Sequence, residues 1–150
     1  MRTILAVSAL ALSLTACSGE PTATSNAVAK PVDVAAPQGE ERLVLAFGDS
    51  LYAGYGLAKG EGLPAQLQNR LRTAGINATV VDAGVSGDTT AAGRQRLAFT
   101  LDGLKRTPDL VILGLGGNDA LRQLSADETR ANMTAMMEEL ERRSIPVLLT

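Results

Sequence analysis

The chain has 150 residues, enough for one ordinary domain with a real core, and its 45% hydrophobic and 20% charged content is that of a globular protein. The net charge is -2 with no Lys/Arg cluster, and aromatic residues make up only 3% with Trp absent, which argues against nucleic-acid binding by charge or by base stacking. Cys17 is the single cysteine and there is no histidine, so an intrachain disulfide, a cysteine-based metal site and an imidazole general base are all excluded for these residues.

Met1 to Cys17 starts positively at Arg2, continues with an apolar stretch from Ile4 to Leu14 and ends in small residues. This is the layout of a secretory signal peptide, too short to span a bilayer as a permanent helix. Its end, Leu14-Thr15-Ala16-Cys17, resembles the bacterial lipoprotein box. The resemblance implies cleavage after residue 16, a diacylglycerol on the Cys17 thiol and a lipid-anchored protein facing the periplasm. A plain signal peptide with a chance cysteine is the alternative. Ser18 to Glu41 is rich in Ala, Pro, Thr and Ser, with Pro21, Pro31 and Pro37 interrupting any helix. Such a stretch buries too little to order itself and reads as a flexible tether over residues 17–41. The folded domain is expected over residues 42–150.

Leu43 to Phe47 is a continuous apolar run, as in a strand covered on both faces of a parallel sheet. It stops at Gly48-Asp49-Ser50-Leu51, a turn that either lifts the Ser50 hydroxyl above the sheet edge or merely caps the next segment. Gly54 to Glu61 is a glycine-rich loop suited to border a cleft. Leu63, Leu67 and Leu71 recur every four residues behind Pro64 and before Gly75, which predicts a helix over Leu63–Ala74 with a buried leucine stripe. Ala78–Asp82 is a short β-branched strand, and the small-residue loop Ala83 to Thr89 comes after it.

Asp88 or Thr89 can cap a helix reaching about Leu104, with Leu97, Leu101 and Leu104 on one face. A third strand is expected over Asp109–Leu115, ending at Gly116-Gly117-Asn118-Asp119. Ser125-Ala126-Asp127-Glu128 matches a capping box and opens a helix whose Met133, Met137 and Leu140 are expected to face the core. Ile145–Leu149 starts a fourth strand. Alternating strands and helices with short connections predict an α/β fold, a three-layer, doubly wound parallel sheet of flavodoxin-like order. The loops after the first three strands then open on one edge of the sheet, where Ser50, Gly87 and Asn118 are expected to converge.

These three positions suit attack on an ester carbonyl. A serine hydroxyl is a nucleophile once a base takes its proton, and the oxyanion it creates needs donors already in place. The main-chain N–H groups of Ser50 and Gly87 and the side-chain amide of Asn118 are three such donors.

Gly48-Asp49-Ser50, Gly87 and Gly116-Gly117-Asn118-Asp119, each after a strand, resemble the first three blocks of the GDSL or SGNH hydrolases. Phe47 to Gly56 and Leu113 to Ala120 are similar to the bacterial acyl-hydrolases described as arylesterase, thioesterase or lysophospholipase. The resemblance implies Ser50 as nucleophile, Gly87 and Asn118 completing the oxyanion hole, a small acyl ester or thioester as substrate, and no metal or cofactor. The family's last block, Asp-x-x-His, supplies the base and its orienting carboxylate. It does not occur in these 150 residues, so the sheet is expected to be incomplete at its carboxyl-terminal side and the chain by itself inactive. A non-catalytic lipid-anchored lipoprotein using the same cleft is the alternative function. A flavodoxin-like cofactor binder is a third, disfavoured by the lack of G-x-G-x-x-G, P-loop and flanking aromatic residues.

Overall fold

The computed structural model describes residues 36–150. The expected signal peptide, Cys17 and most of the tether lie outside the described residues. Four parallel strands, β1 (Gln38–Gly48), β2 (Ile76–Gly84), β3 (Leu110–Gly114) and β4 (Val147–Leu149), form one sheet in the order β2-β1-β3-β4. The helices are α1 (Ser50–Ala53), α2 (Leu63–Thr73), α3 (Thr90–Asp102), α4 (Gly117–Leu121) and α5 (Ala126–Arg142).

The centre of β1 explains the layering. Its apolar run alternates between two cores: Leu45 and Phe47 pack with Leu97 and Leu101 of α3 and Met136 and Leu140 of α5, whereas Val44 and Ala46 pack with Tyr52 of α1 and half-buried Leu67 of α2. Because successive side chains point to opposite faces, a strand apolar at every position needs helices on both sides. The doubly wound arrangement results. The chain moves outward from β1 to β2, then crosses back beyond β1 to β3, so the winding reverses between β1 and β3. That crevice is where α/β sheets place ligands.

Local signals account for most helix ends. Thr89, rather than Asp88, caps α3 by accepting the Ala92 N–H. The Ser125 hydroxyl accepts the Glu128 N–H at the start of α5, where Asp127 and Glu128 also favour the positive helix terminus. Gly75, at φ +85°, ends the turn after α2 in the left-handed region that glycine adopts without penalty.

Several expectations are corrected. The strand that opens the domain begins at Gln38, before Arg42, because Gln38 pairs with Ile76 across an irregularity that precedes Arg42. β2 likewise starts at Ile76 and runs to Gly84 instead of spanning Ala78–Asp82. On α5 the buried methionine is Met136, 1% exposed, while Met137 is 40% exposed; Met136 and Leu140 are four residues apart and share the face that meets Leu97 and Leu101. The α2 stripe is only half-buried, and Leu63 is exposed at the helix start. β4 contributes only Val147 to the core, leaving Leu148 and Leu149 about half exposed.

Candidate active site

The carboxyl ends of three strands meet in a row of glycines. Gly48 of β1 is in register with Gly84 of β2 on one side and Gly114 of β3 on the other. Helix α1 lies directly on this row. A Cβ at position 48 would fall on the Tyr52 ring, one at 114 on the Tyr52 hydroxyl, and one at 84 on the backbone N of Ala53. The missing side chains therefore set how close the turn carrying Ser50 can come to the sheet. Tyr52 is buried there, and its hydroxyl is 2.8 Å from Thr150 Oγ1, so α1 is also tied to the residue following β4.

Asp49 precedes Ser50 and caps α1, its Oδ1 accepting the Leu51 N–H at 3.0 Å. Gly54, at φ 69°, ends the helix after one turn, and Ser50 is half-buried at its start. Gly87, at φ +87°, turns the loop between β2 and α3 back over the end of β1, and the Val85 N–H donates to the Gly48 carbonyl at 3.0 Å. Asn118 lies in α4, which Gly116 opens at φ 113°.

The Asn118 amide joins the three loops. Its Nδ2 donates to the Asp88 carbonyl at 2.9 Å and makes a longer contact of 3.4 Å with Asp49 Oδ2. Asn118 thus bonds the residue after Gly87 and the residue before Ser50, which brings the three expected positions to one edge of the sheet. Among the described residues, neither the Ser50 nor the Gly87 main-chain N–H has a hydrogen-bond acceptor. A cavity of about 380 Å³ lies beside α1, lined by Ala53, Gly54, Leu57, Pro64, Val80 and Asp82, so the loop after Ser50 does border a cleft.

Two supporting groups carry no local sequence signal. Arg96 of α3 donates from Nε to Asp88 Oδ2 at 2.6 Å and from Nη2 to the Gly48 carbonyl at 2.9 Å. Asp119, next to Asn118, is buried and accepts from the Thr90 N–H at 2.9 Å, the Thr90 hydroxyl at 2.5 Å and the Thr129 hydroxyl at 3.2 Å. Burial pushes the Asp119 carboxyl up, but the bonds from Thr90 and Thr129 outweigh it and hold the group below its ordinary value. Asn132 and Arg94 extend this network: Asn132 Nδ2 reaches the Thr90 hydroxyl and its Oδ1 accepts from Arg94. Among the described residues, no group of three His, Cys, Asp or Glu side chains is placed to hold a metal.

A parallel α/β sheet with a serine turn after β1, a glycine turn after β2 and an asparagine turn after β3 defines a class of serine-containing α/β proteins. Residues 46–150 match the GDSL-like Lipase/Acylhydrolase family, and the chain belongs to it. The chain is 38% identical over 112 residues to esterase TesA of Pseudomonas aeruginosa, covering 75% of this chain and 55% of that protein. It is 41% identical over 103 residues to an arylesterase of Vibrio mimicus, covering 69% of this chain and 50% of the relative. The crystal structure of AlinE4, an SGNH-hydrolase family esterase, superposes with a TM-score of 0.73 at 60% identity over 75% of this chain and 59% of that one. The chain spans about half the length of the curated relatives it matches.

Proposed function

We propose that this protein contributes the nucleophile and oxyanion hole of a serine hydrolase acting on small acyl esters or thioesters. The observation that carries this reading is the Asn118 amide, bonded to the neighbours of both Ser50 and Gly87. The names of the relatives, esterase and arylesterase, support the substrate class.

In this reading the Ser50 Oγ attacks the acyl carbonyl as a base removes its proton. The oxyanion of the tetrahedral intermediate is met by the Ser50 and Gly87 N–H groups and by Asn118, whose 3.4 Å contact to Asp49 is the weaker of its two and the one an oxyanion replaces. The intermediate collapses with loss of the alcohol or thiol, which leaves protonated, and water then releases the acid from Ser50. These residues contain no histidine to act as that base. A hydrolytic site without it keeps only about 10³- to 10⁴-fold acceleration over water.

The 150-residue chain is therefore expected to leave p-nitrophenyl acetate hydrolysis at background. Fusing after Thr150 the portion of the AlinE4 esterase beyond the matched region is expected to give an active chimaera that loses at least about 10³-fold activity on Ser50→Ala. Hydrolysis by the unfused chain that disappears on Ser50→Ala would overturn the inactivity, and a chimaera indifferent to Ser50→Ala would overturn the role of Ser50. A second reading is a lipoprotein that binds an acyl ligand in the same cleft without turning it over. Saturable binding of a labelled ester by the unfused chain, together with an inactive but folded chimaera, would favour it.

We further infer that Cys17 is lipidated and holds the domain at the cell envelope, facing the periplasm. Lasting attachment needs more than one acyl chain, which lipoprotein processing supplies. Radiolabelled palmitate is expected to enter the wild-type chain and not Cys17→Ala, which leaves the membrane fraction. Equal labelling of both would refute the anchor.

A further inference from the structure

We propose that Arg96 is a positioning residue for the site, acting on Ser50, Gly87 and Asn118 through the groups beside them; this rests on the hydrolase reading of the same site.

A charge on a helix is ordinarily solvated. Arg96 is instead four-fifths covered, its side chain 21% exposed and that of its partner Asp88 12% exposed. The guanidinium is engaged on three sides at once. Nε bonds the Asp88 carboxylate at 2.6 Å, Nη2 bonds the Gly48 carbonyl at 2.9 Å, and the carbon of the guanidinium stands 3.9 Å from the centre of the Phe47 ring. The two bonded groups belong to different segments, the end of β1 and the loop between β2 and α3. Gly48 is the last residue of β1, two before Ser50, and Asp88 directly follows Gly87. Asp88 also passes the constraint onward, because its carbonyl accepts the Asn118 amide at 2.9 Å. One side chain from α3 thus fixes the distance between the Ser50 turn and the Gly87 turn, and through Asp88 the place of Asn118.

The chemistry selects arginine. Only a planar fork stacks on a ring while donating from its edge in two directions; a lysine keeps the charge and loses that geometry. The paired charges of Arg96 and Asp88 sum to zero, so the pair acts by alignment more than by a net field. Preorganised donors are worth most when they need no rearrangement as charge develops, and alignment is what such a clamp supplies. Asp119 differs in kind: its partners are Thr90 and Thr129, within the helices, and it touches neither the Gly48 nor the Asp88 group.

The test uses the ¹⁵N-labelled 150-residue chain and needs no turnover. Arg96→Lys is expected to lower the thermal midpoint by less than about 4 °C. It is also expected to shift or broaden the Ser50 and Gly87 main-chain amides and the Asn118 side-chain amide beyond any change in Arg130→Met, a control at an exposed ion pair. Arg96→Met is expected to disturb the same three signals further, and Arg96→Lys is decisive alone should the methionine variant not fold. Unmoved signals in Arg96→Lys, with the Phe47 ring resonances displaced to show that the guanidinium has left, would overturn the proposal. So would a large loss of thermal midpoint with disturbance spread evenly through the sheet, which marks a general structural role. Failure of the hydrolase reading is seen separately, in a folded wild-type chimaera without activity.

Discussion

Gly84→Ala is expected to destabilise the domain by about 3 kcal/mol, the upper part of the range for forced overpacking, and to lower the thermal midpoint by roughly 10–15 °C. The new methyl group would fall on the Ala53 nitrogen, the Tyr52 carbonyl carbon and the Ala53 Cα, all of them backbone atoms of α1. A side chain can swing away from an intruding methyl; a one-turn helix pinned by Tyr52 in the core cannot. Relief comes only by lifting α1, and Ser50 with it, off the sheet. Gly103→Ala is the matched control. Gly103 has φ -77°, its nearest neighbours would stand at 3.5 and 3.6 Å, and the substitution is expected to be neutral or slightly stabilising. Equal thermal midpoints for Gly84→Ala and the wild type would show that the row of glycines is not a close-packed floor.

Asp119→Ala is expected to cost about 3 kcal/mol, since it leaves the Thr90 N–H and two threonine hydroxyls without their charged acceptor inside the protein. The effect depends on pH, and its direction is fixed. The folded-state pKa of Asp119 is held below the ordinary carboxyl value, so its contribution is fully present above about pH 4 and is lost as pH falls through the folded value. Asp109 is lowered in the same direction, chiefly by the Leu43 N–H, which it accepts at 2.6 Å, against the opposing pull of burial and with help from Arg106 and Arg42. Asp119→Asn is therefore expected to flatten the acid limb of the stability profile without abolishing it, the remainder belonging in part to Asp109. Denaturant melts at pH 7 and pH 3 measure this. A gap between wild type and Asp119→Asn that widens on acidification would contradict the assignment.

β1 and β3 are readable because each holds a short apolar run without alternation that ends in a glycine turn, which suits a strand buried on both faces. The longer helices are readable from their caps, Thr89 and Ser125 among them. The short helices are not. Four residues in α1 and five in α4 complete about one turn each, so neither shows a period, and both are held by the sheet and its glycines. Met136 and Met137 are adjacent in sequence, but Met136 shares the buried face with Asn132 and Leu140 whereas Met137 lies at its edge. Only the position of Leu97 and Leu101 decides which way that face turns. Leu63 keeps the four-residue spacing, yet it sits at the start of α2 and remains exposed. Of the site, the convergence of Ser50, Gly87 and Asn118 is legible because each follows a strand, and the strands of one parallel sheet end at the same edge. Arg96 and Asp119 are not, since their partners are long-range: Arg96 reaches Gly48 across 48 positions, and Asp119 reaches Thr90 across 29.

The glycine row also bears on how such a protein can diversify. A floor of three residues without side chains, each already touched by α1, offers no atoms to exchange for larger or smaller ones, so mutation there meets a cliff and not a slope. Variation is left to the surroundings, the 54–62 loop that borders the cavity beside α1 and the exposed Leu121 and Leu124 beyond Asn118. Selection acting on this scaffold would find a centre held nearly constant and a surrounding rim free to drift, an inheritance that keeps the frame while its edges change.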